Sequence, residues 1–206
     1  MGANQPGAGE LSPDERRSVF RFRRQLFGTA GDIFNIRERP RPVFDVQFLG
    51  LGYPMPTLHT KFHGVIQYEP HQVLRVAEGL FGFPEEKEFL LIELPSSRPL
   101  VFVQSVRSQN LCFLSLPAQI VDADYRLSIR PQDLLAFGYP EDAPPAMGKD
   151  LLCLAILTVG ERRVTTANLA APLVVDIAAH RGRQVIVTAA YSPRHLLSQH
   201  EVPELC

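Results

Sequence analysis

The sequence has few cysteines and almost no net charge, and each scarcity excludes a class of protein. Its 206 residues include only Cys112, Cys153 and Cys206, too few and too scattered for a disulfide scaffold or a four-cysteine zinc site. This usage fits a reducing compartment best. The 21 basic and 22 acidic residues give a net charge of −1, so the chain lacks the overall positive field that is typical of nucleic-acid-binding proteins.

Long hydrophobic runs are also missing. No segment reaches the ~18 apolar residues that a membrane-spanning helix needs, and the longest candidate, 151–157, has only the length of a buried strand. Where a secretory signal would place its apolar segment, the chain carries arginines instead; they are Arg16, Arg17, Arg21, Arg23 and Arg24. We therefore expect a cytoplasmic protein that has no contact with a membrane.

Proline is abundant, and short apolar segments follow one another along the chain. Proline accounts for 18 of the 206 residues, about 9% against a usual ~5%, which disfavours a helical bundle because proline breaks helix interiors. Segments rich in Val, Ile, Leu, Phe and Thr, separated by turn residues, predict strands at 59–68, 73–77, 89–94, 100–106, 111–116, 125–129, 151–159, 164–169, 172–177 and 184–188.

These segments predict an all-β fold, an antiparallel β-barrel-like or sandwich domain. One short internal helix is expected over 131–137, because Pro131 suits a first helical turn while Gly138 and Pro140 end it. The best hairpin turn in the sequence is His180–Arg183.

The first 54 residues differ in composition from the rest. They hold eight basic and six acidic residues, whereas 58–206 hold thirteen basic and sixteen acidic, a net charge of −3. Residues 1–10 are small and polar, which predicts disorder. Ser12-Pro13-Asp14-Glu15 resembles a capping box and predicts an Arg-rich helix over 13–27. We therefore divide the chain into an N-terminal extension (1–54), a β-domain (55–198) and a C-terminal tail (199–206).

No catalytic or metal-binding signature survives inspection. His59 and His63 have a zinc-ligand spacing for a helix, but on the predicted strand they would stand ~13 Å apart, too far to share one ion. The chain has no GxSxG, P-loop or GxGxxG motif. Ser105 lies within an apolar strand, and Asp122 and Asp124 are typical of a solvated loop pair. The residues predict a non-catalytic domain without cofactor or metal.

Seven segments, in one order, resemble the flagellar assembly factor FliW family. Each is weak alone, but together they span roughly residues 58–197 and are highly specific. Position 123 departs from the pattern, with Ala where the family usually has Pro, and position 176 has Asp where Asn is frequent. The segments are Thr60–Gly64, Glu78–Glu85, Phe102–Val106 with Leu111–Phe113, Ala123–Tyr125, Thr165–Val175, Arg181–Val185 and Tyr191–His195.

The resemblance implies a cytoplasmic β-barrel-like protein, monomeric when free and without enzymatic activity. It implies two protein partners, the translational regulator CsrA and flagellin. Binding to CsrA would relieve repression of flagellin messenger RNA, and flagellin would compete for the same protein. Since residues 55–64 resemble the start of the family, including a methionine, we also expect that translation begins at Met55 or that 1–54 is an added extension.

The strongest partner-binding candidates follow residue 78. Glu85, Glu86 and Glu88 form an acidic cluster that would complement a basic RNA-binding partner; the alternative is a solvated turn. The apolar residues ahead of it would supply an interface anchor. The alternative there is that the glycines permit a tight turn while Phe81 and Phe83 plug the barrel end. These apolar candidates are Leu80, Phe81 and Phe83.

Further candidates lie near the C-terminus. Asn168 would bond to a neighbouring backbone or recognise a partner strand. Pro172 suits a strand start or edge, where a partner segment would add as a strand. Arg194 and His195 would cap local carbonyls or contact an acidic partner. Gln104 is expected to be a buried amide whose hydrogen bonds are made.

Two other functions remain open from the sequence. The arginines between Arg16 and Arg24, interleaved with Phe20, Phe22 and Phe27, are typical of an RNA-stacking surface. A small hydrolase would use Ser105 or the Asp122–Asp124 pair, and would need a nucleophile–base contact.

Overall fold

Strands dominate the computed structural model, which describes residues 41–42, 55–140, 145–160 and 164–197. The helical elements are short: two 3-10 turns (Pro70–Gln72 and Pro95–Ser97), α1 (Ala118–Val121) and α2 (Pro131–Ala136). The strands are β1 (Arg41–Pro42), β2 (Thr57–Thr60), β3 (Gly64–Gln67), β4 (Leu74–Val76), β5 (Glu88–Glu93), β6 (Val101–Ser105), β7 (Cys112–Pro117), β8 (Leu151–Val159), β9 (Thr165–Asp176), β10 (Arg181–Gln184) and β11 (His195–Leu196).

Seven of these strands close into a barrel, which confirms the predicted fold class. Their order is β5-β4-β10-β9-β8-β7-β6, and β6 pairs again with β5. The pairings are antiparallel except for β10 with β4, which is parallel. Closure satisfies the backbone groups that a flat sheet would leave at its edges. Strand β1 pairs outside this ring with β5, and β11 pairs with β9.

Strands β5 and β6 and most of β8 are buried on both faces. In β5, Phe89, Leu90, Leu91 and Ile92 all have 0% exposure, although successive side chains of a strand point to opposite faces. Leu90 and Ile92 belong to the main core cluster, which also contains residues of α1 and of the β2–β3 hairpin. Continuous apolar runs, rather than strict alternation, are what strands covered on both sides require.

The helix predicted over 131–137 is confirmed as α2. Pro131 occupies its first turn, Phe137 is the C-cap residue, and Gly138 follows with a φ of +80°. The helix is fastened to β10 by Asp133, whose carboxylate accepts from Arg130 Nε at 2.8 Å and lies 3.2 Å from Arg183 Nε. The sequence did not predict α1, a single turn after Pro117.

Two predicted strands are wrong. The segment 59–68 is not one strand but the β2–β3 hairpin, in which Gly64 has a φ of +67° and Thr60 Oγ1 accepts from the His63 amide at 2.9 Å. His59 and His63 therefore do not share a strand, and the spacing of ~13 Å that assumed one does not apply. The segment 125–129 is not a strand. Its first residue, Tyr125, donates its amide to the Asp122 carbonyl of the preceding turn, and its buried hydroxyl donates to the Leu169 carbonyl at 3.0 Å.

Three predicted boundaries are also wrong. The strand expected at 184–188 is β10, which covers Arg181–Gln184 instead. The strands expected at 164–169 and 172–177 are a single strand, β9, whose pairing with β8 shifts register between Leu154 and Ile156. The turn expected at His180–Arg183 ends at His180, which has a φ of +49°, and Arg181 already starts β10. Asp176 fixes this earlier turn, since its Oδ1 accepts from the Ala179 amide at 2.9 Å.

The N-terminal predictions lie almost entirely outside the described residues. The helix over 13–27 and the disorder of 1–10 fall there, and so does the tail 199–206. The exception is β1, at 41–42, inside the predicted N-terminal extension. Within the described part of the chain, no helix is long and apolar enough to cross a membrane.

Candidate partner-binding surface

The candidate surface is built on residues 77–87, which join β4 to β5 and are called here the glycine loop. Its centre is a β-turn in which the Phe83 amide donates to the Leu80 carbonyl at 2.7 Å. Gly82 is the third residue of the turn, with a φ of +85°, as a type II turn requires. Gly79, with a φ of +70°, has a second constraint, because a Cβ there would lie 2.5 Å from the Phe83 carbonyl oxygen.

The turn buries one apolar side chain and presents another. Leu80 is 2% exposed, whereas Phe81, at the tip, is 55% exposed. Phe83 is 39% exposed and meets the Phe113 ring edge-on at 5.0 Å. The expectation that Phe81 and Phe83 plug the barrel end is therefore wrong for Phe81, since Leu80 takes the buried position.

The backbone of the exposed tip is held by Gln184 of β10. The Phe81 amide donates to Gln184 Oε1 at 2.8 Å, and Gln184 Nε2 donates to the Ala171 carbonyl at 2.9 Å. Gln184 is 8% exposed, so these bonds are sheltered from water. One side chain thus joins the glycine loop to β9, and the Phe81 ring projects from a fixed backbone. The sequence showed Gln184 only within a family-like segment, without this role.

The three glutamates of the acidic cluster do not share one environment. Glu85 and Glu88 are exposed. Glu86 accepts a hydrogen bond from Ser105 Oγ at 2.6 Å and another from Ser108 Oγ. These bonds, together with the positive charge of Arg107, lower the pKa of the Glu86 carboxyl, against a smaller opposing effect of desolvation. Glu86 therefore fastens the glycine loop to the β6–β7 turn, and the exposed acidic charge belongs to Glu85 and Glu88.

The hydrogen bonds of Ser105 argue against a nucleophile. Besides donating to Glu86, its hydroxyl oxygen accepts from the amides of Arg107 at 3.1 Å and Ser108 at 2.8 Å. The side chain is 0% exposed. The neighbouring Gln104 is buried as expected, and its Nε2 donates to three carbonyls, but its Oε1 has no partner within the described part of the chain.

The other catalytic candidates are equally local. Asp122 Oδ1 accepts from the Asp124 amide at 2.9 Å, which is a turn contact. His63 Nε2 lies 3.7 Å from Cys112 Sγ, but burial raises the pKa of the Cys112 thiol to about 12, the opposite of activation. Residues 55–140, 145–160 and 164–197 contain no group of three His, Cys, Asp or Glu side chains able to hold a metal ion.

Asn168 and Pro172 have structural positions in β9. The Asn168 side chain accepts from the Ala171 amide at 2.9 Å, the local contact that was one of its two expected roles. The edge expected at Pro172 is absent from the described structure, because Pro172 is buried and its carbonyl accepts from Val185 at 3.1 Å. Pro172 falls where the β8–β9 register shifts, and its missing N–H costs no ladder hydrogen bond there.

Arg194 and His195 lie beside the N-terminal part of β9. His195 is in β11, opposite Ala167, and the Arg194 side chain is exposed. The candidates thus fall into two groups, one on the glycine loop and one on the β9–β11 pair, and Gln184 links the loop to β9. Another exposed aromatic, Phe62 (56% exposed), lies in the β2–β3 hairpin, whose Lys61 amide donates to Gln109 of the β6–β7 turn. No motif in the sequence predicts that the Phe62 side chain is exposed.

Substituting the two loop glycines separates strain from steric overlap. Gly82→Ala adds only the cost of a left-handed alanine, about 1–2 kcal/mol, because its Cβ meets nothing within 4 Å. Gly79→Ala adds overlap with the Phe83 carbonyl and is expected to cost about 1–3 kcal/mol more. Denaturant unfolding of both variants measures the difference, and equal losses would contradict the tight turn.

The Glu86 anchor predicts a pH-dependent stability. Because its folded pKa is lowered, its contribution is present above the unfolded pKa and is lost as pH falls through the folded pKa. Glu86→Gln is expected to destabilise the protein at pH 7, and the difference from wild type should shrink below about pH 4. Thermal unfolding across this range, with Glu85→Gln as control, provides the measurement. A loss independent of pH would contradict the ionised anchor.

Comparison with known proteins places this geometry in one family. The model of the FliW protein family matches residues 57–197. The flagellar assembly factor FliW of Bacillus subtilis (strain 168) is 30% identical over 142 residues, which cover 67% of this chain and 94% of the relative. That of Geobacillus sp. (strain WCH70) is 32% identical over 145 residues, covering 69% and 96%.

A solved structure agrees with the sequence relatives. A crystal structure of the flagellar assembly factor FliW aligns with a TM-score of 0.60 and 29% identity, covering 73% of this chain and all of that one. The resemblance drawn from seven short segments is therefore confirmed over almost the same range. With the family model matching more than half of its residues and the barrel shared with a solved member, this chain belongs to the FliW family of flagellar assembly factors.

Proposed function

We propose that this flagellar assembly factor binds and antagonises a CsrA-type translational regulator, relieving repression of flagellin messenger RNA, and that it also binds flagellin. It works in the cytoplasm, as a monomer when free, by occupying its partners and not by catalysis. The observation that carries this proposal is the exposed Phe81 ring on a backbone fixed by Gln184, with two exposed carboxylates close in sequence.

Phe81 has the properties of an interface anchor. Aromatic side chains supply much of the energy in protein interfaces, and one on a pre-organised turn loses less conformational entropy on binding. The turn is pre-organised by two glycines with positive φ, by the Gln184 bond to the Phe81 amide, and by the Glu86 bonds to two serines. None of these contacts involves the Phe81 ring, which stays accessible.

Glu85 and Glu88 supply the electrostatic part. A regulator that binds RNA presents basic surface, and acidic groups facing it speed encounter and repel phosphate. Residues 58–206 carry a net charge of −3. Hydrogen bonds already occupy Glu86, so it serves the loop and not the partner.

Competition between two partners follows from mass action. One binder divides between two ligands according to their concentrations and affinities. The test is capture of the full chain on an immobilised CsrA-type regulator, followed by addition of flagellin. Release by flagellin supports the exchange. Capture that persists at saturating flagellin would contradict competition, and no capture at all would contradict CsrA binding.

The RNA-binding alternative depends on arginines that lie outside the described residues. Titrating labelled leader RNA at two salt concentrations, without the regulator, distinguishes it from the proposal. Tight binding that weakens with salt would favour the alternative, and weak binding at both concentrations would favour the protein-binding function.

Removing the Phe81 ring should weaken capture of the regulator. Phe81→Ala is expected to raise Kd about thirtyfold, which corresponds to about 2 kcal/mol for an aromatic anchor, while the melting temperature stays near that of wild type. Isothermal titration calorimetry measures the affinity. Leu135→Ala is the matched control, since Leu135 is 60% exposed on α2. Equal affinities for the Phe81 variant and wild type would exclude the ring from the interface.

Reversing the exposed charges should act mainly on the association rate. Glu85→Lys combined with Glu88→Lys is expected to slow association at low salt, with a smaller effect near 0.5 M salt. Stopped-flow mixing measures the rate, and Asp124→Lys, at another exposed acidic position, is the control. A rate that is unchanged at low salt would place the two glutamates outside the interface.

A further inference from the structure

The N-terminal half of β9 extends beyond the part that pairs with β10, which is 173–176. There it forms a three-stranded sheet with the end of β8 and with β11. One side of this sheet packs on the main core through Leu157, Ala167 and Leu169. The residues that alternate with these three face the opposite side, which the described part of the chain covers only in part.

The strand register shows which side chains make up this opposite side, called here the open face. In β8, Ile156 lies opposite Asn168, and Thr158 lies opposite Thr166. Leu196 of β11 lies opposite Thr166 on the other side of β9. Directly opposite residues of an antiparallel pair share a face of the sheet. Thr158 and Leu196 are exposed, and Ile156, Thr166 and Asn168 are half-buried.

Two further apolar side chains border the open face. Val164, two residues before Thr166, is 51% exposed. Ile186 lies between Val185 and Val187, whose amides donate to carbonyls of β9 and whose side chains belong to the main core. Alternation therefore places Ile186, which is 57% exposed, on the same side as Gln184.

The open face differs from the glycine loop in its charge. Its described residues carry no charge, and its bulkiest exposed side chains are apolar. Exposed apolar side chains that are grouped on one face are typical of a contact surface. Arg194, just before β11, is exposed and positive. A basic, RNA-binding regulator therefore finds no complementary charge here, whereas Glu85 and Glu88 supply it on the glycine loop. The open face suits an uncharged, apolar segment.

We propose that the open face binds an apolar segment of the second partner, flagellin, and that this segment meets the regulator's site at Gln184. This inference rests on the proposed function and gives its competition a structural cause. Gln184 Oε1 accepts from the Phe81 amide at 2.8 Å, and Ile186 follows two residues later, about 7 Å along an extended backbone. A segment that reaches Ile186 occupies the space beside Phe81. The two partners then exclude each other although most of their contacts differ.

A charge placed on the open face separates the two partners. Thr166→Arg in the full chain should raise Kd for flagellin at least about tenfold, because a charge buried without a partner is costly. Affinity for the regulator should not change, because its contacts are on the glycine loop. Leu196→Arg repeats the test at a more exposed position if Thr166→Arg unfolds. Thr57→Arg, on the exposed side of β2, is the matched control. Isothermal titration calorimetry measures both affinities, and the melting temperature reports folding.

The same variant tests the exchange between partners. Flagellin should release the wild-type chain from the immobilised regulator and fail to release Thr166→Arg. Unchanged flagellin affinity in a folded open-face variant, or an equal loss of affinity for both partners, would overturn this inference and leave the proposed function standing. A wild-type chain that does not bind flagellin would instead contradict the proposed function, and this inference with it.

Discussion

The close approach of Gly79 to the Phe83 carbonyl, which leaves no room for a Cβ, is the constraint on which the candidate surface depends. It forces a tight reversal between β4 and β5, and this reversal buries Leu80 and turns Phe81 outward. A looser loop would let both side chains fold onto the barrel, where hydrophobic burial would draw them. The exposure of the Phe81 ring is therefore a consequence of backbone geometry. The contacts that hold the turn offset the unfavourable free energy of exposing the ring.

Polar side chains then lock this geometry to distant parts of the chain. Gln184 binds the tip to β9, and Glu86 binds its C-terminal side to the β6–β7 turn. The Gln184 contact joins residues 103 apart in sequence and needs β10 in place, whereas the Glu86 bonds span 19 and 22 residues across the neighbouring strands β5 and β6. Ser105 and Glu86, which the sequence offered as candidates for catalysis and for partner binding, make these structural contacts. The Ser105 hydroxyl accepts hydrogen bonds from two backbone amides and donates one to a carboxylate. It therefore has a structural role and is not available as a nucleophile.

The sequence predicted the elements that depend on interactions between residues close together in the chain. Pro131 and Gly138 mark the ends of α2, and the apolar run 151–159 coincides with β8. The β propensity of Tyr125 favours a strand at 125–129. Its side chain instead donates a hydrogen bond to the carbonyl of Leu169, 44 residues away, which no local pattern predicts. Gly64 was read as an interruption of one strand, whereas its positive φ turns the chain back on itself. The sequence predicted the segment that forms the candidate surface. It did not predict which aromatic side chain is exposed, because that depends on the conformation of the Leu80–Phe83 turn.

Strand β1 lies outside the part of the chain that matches the family. The family model matches residues 57–197, which contain all seven strands of the ring, whereas β1 precedes that range. Strand β1 pairs with a part of β5 that β4 does not reach, because β4 is three residues long and β5 is six. A short strand beside a long one leaves backbone groups of the long strand without partners, and such groups favour any extended segment that reaches them. An N-terminal extension is well placed to supply that segment, because as part of the same molecule it meets the edge at a high effective concentration.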